Sequence, residues 1–350
     1  MPGRGQALAM PHLRHVHSLP GLAAPRPRRG TGAAKPAHAP RKPSGGVPTA
    51  TVPAQRGRGG VWTTVTSIVT ALTAVAALVY TNQTLRLTEQ GQYTDRSVKA
   101  VEQLGKQGPD QLYARLGGVN SLRLLMRDSP EEQLGVVKVL TAFIRSAAPR
   151  PPGGTCPGTE PAADVQGALD VLNSRDRDLI EPHGRPVIDL SGTCLRRADL
   201  SNADLRSAAL TGADLSQATM RDADLSGANL RAALLRTTDL VRANLTEVYL
   251  RDADLTGVNL SDAALFKATL SDAKLDDAYL TGADLADVSL TRAYLAGANL
   301  LGADLRRSYL DEADLTGVDL RGADLTGAAH NSGTRVDGVI TDENTFGTWW

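Results

Sequence analysis

Five aspartates that recur in one register are the residues of this sequence most able to do chemistry. They are Asp204, Asp224, Asp284, Asp304 and Asp324, which are separated by multiples of twenty residues. Carboxylates in register suggest a pair for acid–base catalysis or a ladder for calcium. No histidine accompanies them, and a flat wall without a cleft can neither exclude water nor orient a substrate. We therefore interpret them as corner residues whose carboxylates accept hydrogen bonds from nearby backbone amides.

The remaining candidate groups are few. His12, His15 and His17 have a spacing that allows adventitious metal binding, but no other ligand accompanies them. Cys156 and Cys194 form no disulfide framework and match no metal-binding spacing. Cys194 takes the Asp/Asn position of an early repeat, which predicts an outward-facing free thiol. The sequence shows no phosphate loop, Ser/His/Asp set or Cys-x-x-Cys pair, so we predict no enzyme, no cofactor and no metal site.

These aspartates belong to a tract with a period of five. From Leu190 to Leu325 every fifth residue is leucine, except Met220, which gives 28 positions. A small or β-branched residue stands two places before each. In an α-helix this period would distribute the leucines all around the helix, and in a strand it would alternate them between the two faces. The leucines share one side only if the chain turns a corner in every repeat, which predicts a solenoid.

The repeat units resemble a known family. Ala213-Asp214-Leu215, Ala228-Asn229-Leu230 and similar units, mostly followed by Ser/Thr-Gly, are similar to the A(D/N)LxG signature of pentapeptide-repeat proteins. This resemblance implies a right-handed quadrilateral β-helix with four pentapeptides in each coil, and thus seven coils. It also implies that the central leucine and the residue two places before it point inward. The predicted structural core includes Leu190, Leu195, Leu200, Leu205, Leu215, Leu225, Leu255, Leu285, Leu305, Leu325, Ala198, Ala213, Ala223, Ala253, Ala283 and Ala303.

Charge is strongly segregated along the chain. Residues 1–60 contain ten Lys/Arg and no acid, and residues 186–330 contain 14 Lys/Arg and 22 Asp/Glu. One activity in the wider pentapeptide-repeat family is mimicry of duplex DNA by an acidic rod that binds DNA gyrase, which is the alternative function for this chain. The negative charge is, however, spread over all four walls, whereas mimicry requires a one-sided field. An acidic rod without a platform of stacked aromatic residues also excludes direct nucleic-acid binding by the rod.

A membrane span is predicted before the repeats. Val61–Tyr80 is uncharged, has the length of a span, and carries Trp62 and Tyr80 at its ends. The alternative is a buried or amphipathic helix. No proline interrupts residues 54–108, so the helix is predicted to continue to Leu104 and to end at Gly105.

Three shorter helices are predicted between the span and the repeats. The first covers Asp110–Arg127, and the second begins at a capping box, Ser129-Pro130-Glu131-Glu132, and ends at Ala148. The third covers Ala162–Asn173, and we expect these helices to cap the first coil, whose backbone edge would otherwise be open. Stretches such as TLRLTEQGQYTDRSVKAVEQLG and YARLGGVNSLRLLMRDSPEE resemble a group of membrane-associated pentapeptide-repeat proteins of high-GC bacteria.

The predicted fold is therefore mainly β: a quadrilateral β-helix preceded by a long transmembrane helix and a small α-helical segment. Its parts are a disordered basic tail (1–60), the span (61–80), a juxtamembrane helix and helical hairpin (81–148), a linker with one amphipathic helix (149–185), the β-helix (186–330) and a C-terminal cap or tail (331–350). We predict a non-enzymatic scaffold, anchored in the cell membrane by a single span, that binds an unknown protein partner. The basic residues 1–60 favour an inside amino terminus and an outside rod, but the basic residues near the span are almost balanced, and two unpaired cysteines and the family resemblance favour a cytoplasmic rod. The aromatic C-terminal tail could also mediate self-association.

Overall fold

A computed structural model describes residues 95–175 and 188–350 of the chain. The predicted basic tail and the predicted span Val61–Tyr80 lie outside these residues. Within them, no helix is both long and apolar enough to cross a membrane.

In the described part of the chain four helices precede the repeats, at the places that the sequence predicts. They are α1 (residues 95–104), α2 (Leu112–Asp128), α3 (Gln133–Ala147) and α4 (Ala163–Asn173), with short 3-10 turns at Pro109–Gln111 and Pro130–Glu132. Their contact faces share a core in which Leu122, Leu140 and Leu169 are buried. A Cβ on Gly118 of α2 would lie 2.7 Å from the carbonyl oxygen of Ala100, so glycine allows α1 to cross α2 closely.

The predicted capping box at Ser129 is wrong. The 3-10 turn after Ser129 and helix α3 both begin without a side-chain cap. The Ser129 hydroxyl is buried and has no hydrogen-bond partner among the described residues. Proline at position 130 starts a 3-10 turn, so the turn, and not the serine side chain, sets the beginning of α3.

The repeats form a four-sided rod, which we define as residues 188–350. Parallel bridges join residues twenty positions apart, such as Asp204 with Asp224 and Asp224 with Asn244, so each coil contains four pentapeptides as predicted. We number the four walls by their first bridging residues: wall 1 at Asp189, wall 2 at Cys194, wall 3 at Asp199 and wall 4 at Asp204. Within the described residues every wall is a ladder of one-residue bridges and contains no extended strand, so the predicted mainly β fold consists of bridges between coils.

The interior of the rod is a column of leucine and alanine. All sixteen core residues predicted from the sequence lie inside, and none is more than 4% exposed. Each leucine N–H donates to a carbonyl of the next coil, as from Leu255 to Lys274 at 2.7 Å. The side chains are therefore held between coils that are themselves hydrogen-bonded.

Ser308 is an exception in this interior. Its hydroxyl is buried and finds no hydrogen-bond partner within residues 95–175 and 188–350, whereas Thr238, at an equivalent inward position, donates to the carbonyl of Leu215 at 2.9 Å. A buried unsatisfied hydroxyl costs about 1–3 kcal/mol. We therefore expect Ser308→Ala to raise the free energy of unfolding by about 1 kcal/mol in denaturant titrations, and Thr238→Val to lower it by a similar amount. A less stable Ser308→Ala variant would contradict this assignment.

Residues 331–350 continue the spiral as an eighth, looser coil. Arg335, Ile340 and Phe346 bridge back to Asp314, Asp319 and Asp324, so the bridged residues are 21, 21 and 22 positions apart instead of twenty. Trp349 stacks on His330 with 4.1 Å between the ring centroids and packs against the core. Ile340 and Phe346 are about half exposed, at 49% and 58%. The tail thus covers the seventh coil, and self-association through it stays a prediction.

Candidate functional site

The candidate functional surface is the outside of the rod, where each pentapeptide presents three residues. We call the residue before the central leucine the wall residue and the second residue after the leucine the corner residue. Corner residues adopt the left-handed conformation, with φ between 51° at Thr237 and 75° at Gly327. Glycine enters this region without strain, but side chains as large as Arg242 (φ 56°) also occupy it in this rod.

The five register aspartates are wall residues of wall 4. In each the Oδ1 atom accepts a hydrogen bond from the backbone N–H two residues later, as from Ser226 to Asp224 at 3.0 Å and from Ala286 to Asp284 at 3.0 Å. These bonds confirm the interpretation of the aspartates as corner-stabilising groups. In the described residues no three His, Cys, Asp or Glu side chains are arranged to hold a metal ion.

Asp204 is the wall-4 carboxylate with the most strongly shifted pKa. Burial alone would raise its pKa, but the hydrogen bonds from Arg206 and the charge of Arg175 outweigh burial and lower the pKa from 3.8 to about 2. The Arg206 Nε lies 2.7 Å from Asp204 Oδ1.

This shift predicts a pH dependence of stability. Because the pKa of Asp204 is lower in the folded state, its contribution is complete above the unfolded pKa near 3.8 and is lost as the pH falls toward 2. We expect the free energy of unfolding to decline as the pH falls from about 3.8 toward 2. In the Asp204→Asn variant this decline should be smaller. If the free energy of unfolding of the two proteins declined equally over this pH range, the role given to Asp204 would be contradicted.

Ion pairs between successive coils fix many of the corner side chains. Arg242 binds the carboxylate of Asp222 one coil below with two bonds of 2.8 and 2.7 Å. The pairs Asp272–Arg292 and Asp287–Arg307 repeat this geometry. The hydrogen bond from arginine is the main cause that lowers the pKa of all three aspartates. The rod therefore neutralises much of its own negative charge at the corners.

The helices cover the open edge of the first coil. Inside the rod a wall residue donates its N–H to the preceding coil, as Asp214 does to Thr193 at 2.8 Å. The first coil has no preceding coil to bond to. On wall 3 the side chain of Gln166 in α4 supplies the hydrogen bonds that a preceding coil would make. Its Oε1 accepts from the N–H of Asp199 at 3.1 Å, and its Nε2 donates to the carbonyl of Asp199 at 2.9 Å.

The other walls of the first coil are covered in related ways. On wall 4 the guanidinium of Arg175 donates to the carbonyl of Asp204. On wall 2 the N–H of Cys194 donates to the carbonyl of Ala148 at 2.8 Å. On wall 1 Arg145 binds the carboxylate of Asp189 at 2.6 Å. These contacts show the capping role that the sequence predicted for the helices, and residues such as Gln166 carry no sequence signal for it.

The prediction that Cys194 is a free thiol is wrong. Cys194 forms a disulfide with Cys156, with 5.5 Å between the Cα atoms. The linker after α3 runs antiparallel to the first coil: Pro149 bridges to Thr193, and Arg150 donates to the carbonyl of Gly192 at 2.7 Å. This path brings Cys156 to wall 2. The two cysteines are 38 residues apart in the sequence, so their spacing alone could not indicate the pairing.

Comparisons with known proteins agree with this geometry. The family described as "Pentapeptide repeats" matches in eight copies over residues 188–222, 223–262, 263–293 and 289–327. The chain is 32% identical to HetL from the cyanobacterium Nostoc, a pentapeptide repeat protein involved in heterocyst differentiation regulation (45% of this chain, 79% of HetL, TM-score 0.30). It is 43% identical to the pentapeptide repeat protein Rfr23 from the cyanobacterium Cyanothece (27% of this chain, 63% of Rfr23, TM-score 0.26).

A third solved structure is QnrB1, a plasmid-mediated fluoroquinolone resistance protein. It is 20% identical, with 44% of this chain and 83% of QnrB1 covered and a TM-score of 0.36. No curated protein matches the chain. All three TM-scores lie below 0.5, so the family assignment rests on sequence alone: the eight repeat copies matched and the 32% identity over 79% of HetL.

Proposed function

The chain belongs to the pentapeptide-repeat proteins, whose repeats form a right-handed quadrilateral β-helix, and we propose that it is a non-enzymatic, membrane-anchored scaffold whose rod binds a protein partner. One observation carries this proposal. The outward side chains of the rod are held in place by bonds to their own backbone and to neighbouring coils, as in the Asp222–Arg242 pair. Such walls present an ordered, rigid surface, and rigidity reduces the entropy that binding costs.

The anchor in this proposal is Val61–Tyr80, which inserts in the lipid membrane as a single span. The disulfide supports a location of the rod outside the cytoplasm, because disulfides persist in oxidising compartments and are rare in the cytosol. The positive-inside rule counts the basic residues near the span, and four in residues 41–60 against three in residues 81–100 favour this orientation by one charge. The predicted cytoplasmic rod rested in part on unpaired cysteines, and that ground is removed.

The alternative, a gyrase-binding DNA mimic, has less support. Mimicry needs a continuous negative surface, whereas ion pairs such as Asp287–Arg307 and Arg236–Asp254 place arginines along the rod. A rod outside the cytoplasm would also not meet gyrase. In a supercoiling assay we expect no inhibition by the purified full-length protein, and inhibition at stoichiometric concentration would favour the mimic.

The scaffold proposal is tested by affinity purification of the tagged full-length protein from its own membranes. We expect a partner that is lost when outward wall residues are changed to charged residues of the opposite sign, and that is retained when Met220→Leu changes only the interior. The proposal would be contradicted if the purification recovered no partner that depends on the rod. It would also be contradicted if the only partner were bound by residues 1–94.

A further inference from the structure

Three corner aspartates of the rod, Asp252, Asp262 and Asp277, lack an arginine twenty positions later, and Asp252 is bound by Arg231 and Arg251 instead. In the internal pairs the residue twenty positions after the aspartate is arginine, as in Asp222–Arg242 and Asp272–Arg292. After Asp262 and Asp277 that position is glycine, Gly282 and Gly297. In the part of the chain that the structure describes, neither carboxylate lies within 4.0 Å of a basic group; Arg242, one coil below Asp262, binds Asp222, and the charge of Asp262 only contributes to the raised pKa of Arg242.

The unpaired carboxylates reach over these glycines. A Cβ placed on Gly282 would lie 2.8 Å from Oδ1 of Asp262, and a Cβ on Gly297 would lie 2.8 Å from Oδ1 of Asp277. Each carboxylate thus lies where a side chain of the next coil would begin. In the internal pairs an arginine of the next coil binds the carboxylate, whereas Gly282 and Gly297 offer no side chain, and both carboxylates are exposed to a side chain from another molecule.

Wall 3 lies between these two carboxylates and carries an exposed tyrosine. Gly282 follows Asp277 by five residues, and the wall residue between them is Tyr279, which is 54% exposed. Leu301, on the next coil of the same wall, is 39% exposed. Protein interfaces are enriched in tyrosine at their centres and depleted of charge there.

The wall residues below and above Tyr279 are Asn259 and Asn299. Their Oδ1 atoms accept from the N–H groups of Ser261 at 3.2 Å and Leu301 at 3.0 Å, so their NH2 groups are left to donate to a partner.

Ion pairs mark both ends of this uncharged part of wall 3. Arg221 binds Asp239 at 2.6 Å on one side, and Arg321 binds Asp319 at 2.6 Å on the other. Between these pairs the wall residues and the residues after the leucines are uncharged over three coils. The surface therefore has an uncharged centre with Asp262 on one flank and Asp277, next to Asp276, on the other, which is complementary to an apolar centre with positive flanks.

We propose that this part of wall 3 docks an extended segment of the protein partner that carries two arginine or lysine side chains on either side of an apolar side chain. The basic side chains pair with Asp262 and Asp277 above Gly282 and Gly297, as Arg242 pairs with Asp222 within the rod. The apolar side chain packs on Tyr279 and Leu301. In an extended segment, alternate residues point to one face, which places the three side chains on the same side. This inference rests on the proposed protein-binding function and names the surface and the chemistry of the partner.

The test fills the two open positions with the rod's own arginines. The double variant Gly282→Arg, Gly297→Arg should pair Asp262 and Asp277 internally, and its backbone conformation is one that Arg242 and Arg292 already adopt at φ 56° and 57°. Gly227→Arg is the matched control, because Gly227 is a left-handed corner residue (φ 65°) of wall 4. Unchanged thermal unfolding of both variants shows that the rod stays folded.

The probe is a fluorescein-labelled peptide, Arg-Thr-Leu-Thr-Arg with blocked ends, titrated with full-length protein in detergent. Loss of two charged pairs predicts a Kd raised at least about tenfold in the double variant, with the Gly227→Arg protein close to wild type. Equal affinity for the double variant, or equal binding of a peptide with glutamine in place of both arginines, would overturn the proposal.

The cellular partner separates this inference from the scaffold proposal. A membrane partner that depends on the rod but is retained by the double variant overturns the wall-3 surface and leaves the scaffold in place. If the peptide binds with the expected pattern, the wall-3 surface is supported. This holds even if the purification recovers no partner that needs the rod, in which case only the scaffold proposal fails.

Discussion

Replacing Leu255 by alanine is expected to lower the free energy of unfolding by about 2–5 kcal/mol. Leu255 is fully buried in the middle of the rod, and its N–H is bonded to the next coil at 2.7 Å. The coils above and below are fixed by the same kind of bond, so they cannot collapse into the cavity that the substitution leaves. Denaturant titration monitored by circular dichroism measures the loss.

Met220→Leu is the control for this prediction. Met220 holds the one position of the leucine register that is not leucine, and it is also fully buried. Exchanging methionine and leucine conserves volume and usually changes stability by less than about 1.5 kcal/mol. If Leu255→Ala cost no more than Met220→Leu, the leucine column would not be the main support of the rod.

Removal of the disulfide has the second large expected effect. Changing Cys156 and Cys194 to serine opens a loop with a sequence separation of 38 residues. The chain-entropy argument gives a loss of up to about 4 kcal/mol, because the unfolded chain regains the freedom that the bond removes. The loss should fall on the cap and the first coils, since the loop contains α4 and the linker that covers wall 2.

Denaturation with and without reductant measures this effect. The wild-type protein should unfold at a lower denaturant concentration when reduced, and the double serine variant should not respond to reductant. Hydrogen exchange should show increased opening near Asp199 and Asp204 in the variant, with the amides around Leu285 unchanged. A wild-type midpoint that is independent of reductant would contradict the stabilising role of the bond.

The sequence alone predicts the parts of the structure that repeat. The leucines from Leu190 to Leu325 define an inward direction, and the wall aspartates such as Asp224 follow from the need to satisfy corner amides. Helices α2 to α4 are indicated by apolar spacing, and α4 begins at Ala163, one residue after the predicted start. Each of these features depends on local pattern, which a sequence displays directly.

What the sequence does not reveal depends on contacts between distant segments. Gln166 caps Asp199 only because α4 lies against the first coil, and Cys156 meets Cys194 only because the linker turns back along wall 2. Asp262 and Asp222 look alike in the sequence. Both lie in the same corner column, and the structure distinguishes them by the residue stacked on the next coil, which is Arg242 after Asp222 and Gly282 after Asp262.

The central claim, a single-span anchor with the rod outside the cytoplasm, is tested most directly by two C-terminal fusions of the full-length protein. One carries a phosphatase that is active only outside the cytoplasm, and the other carries a fluorescent reporter that matures only inside. The account predicts phosphatase activity without fluorescence. Fluorescence without phosphatase activity would place the rod in the cytoplasm, contradict the claim, and return gyrase to the candidate partners.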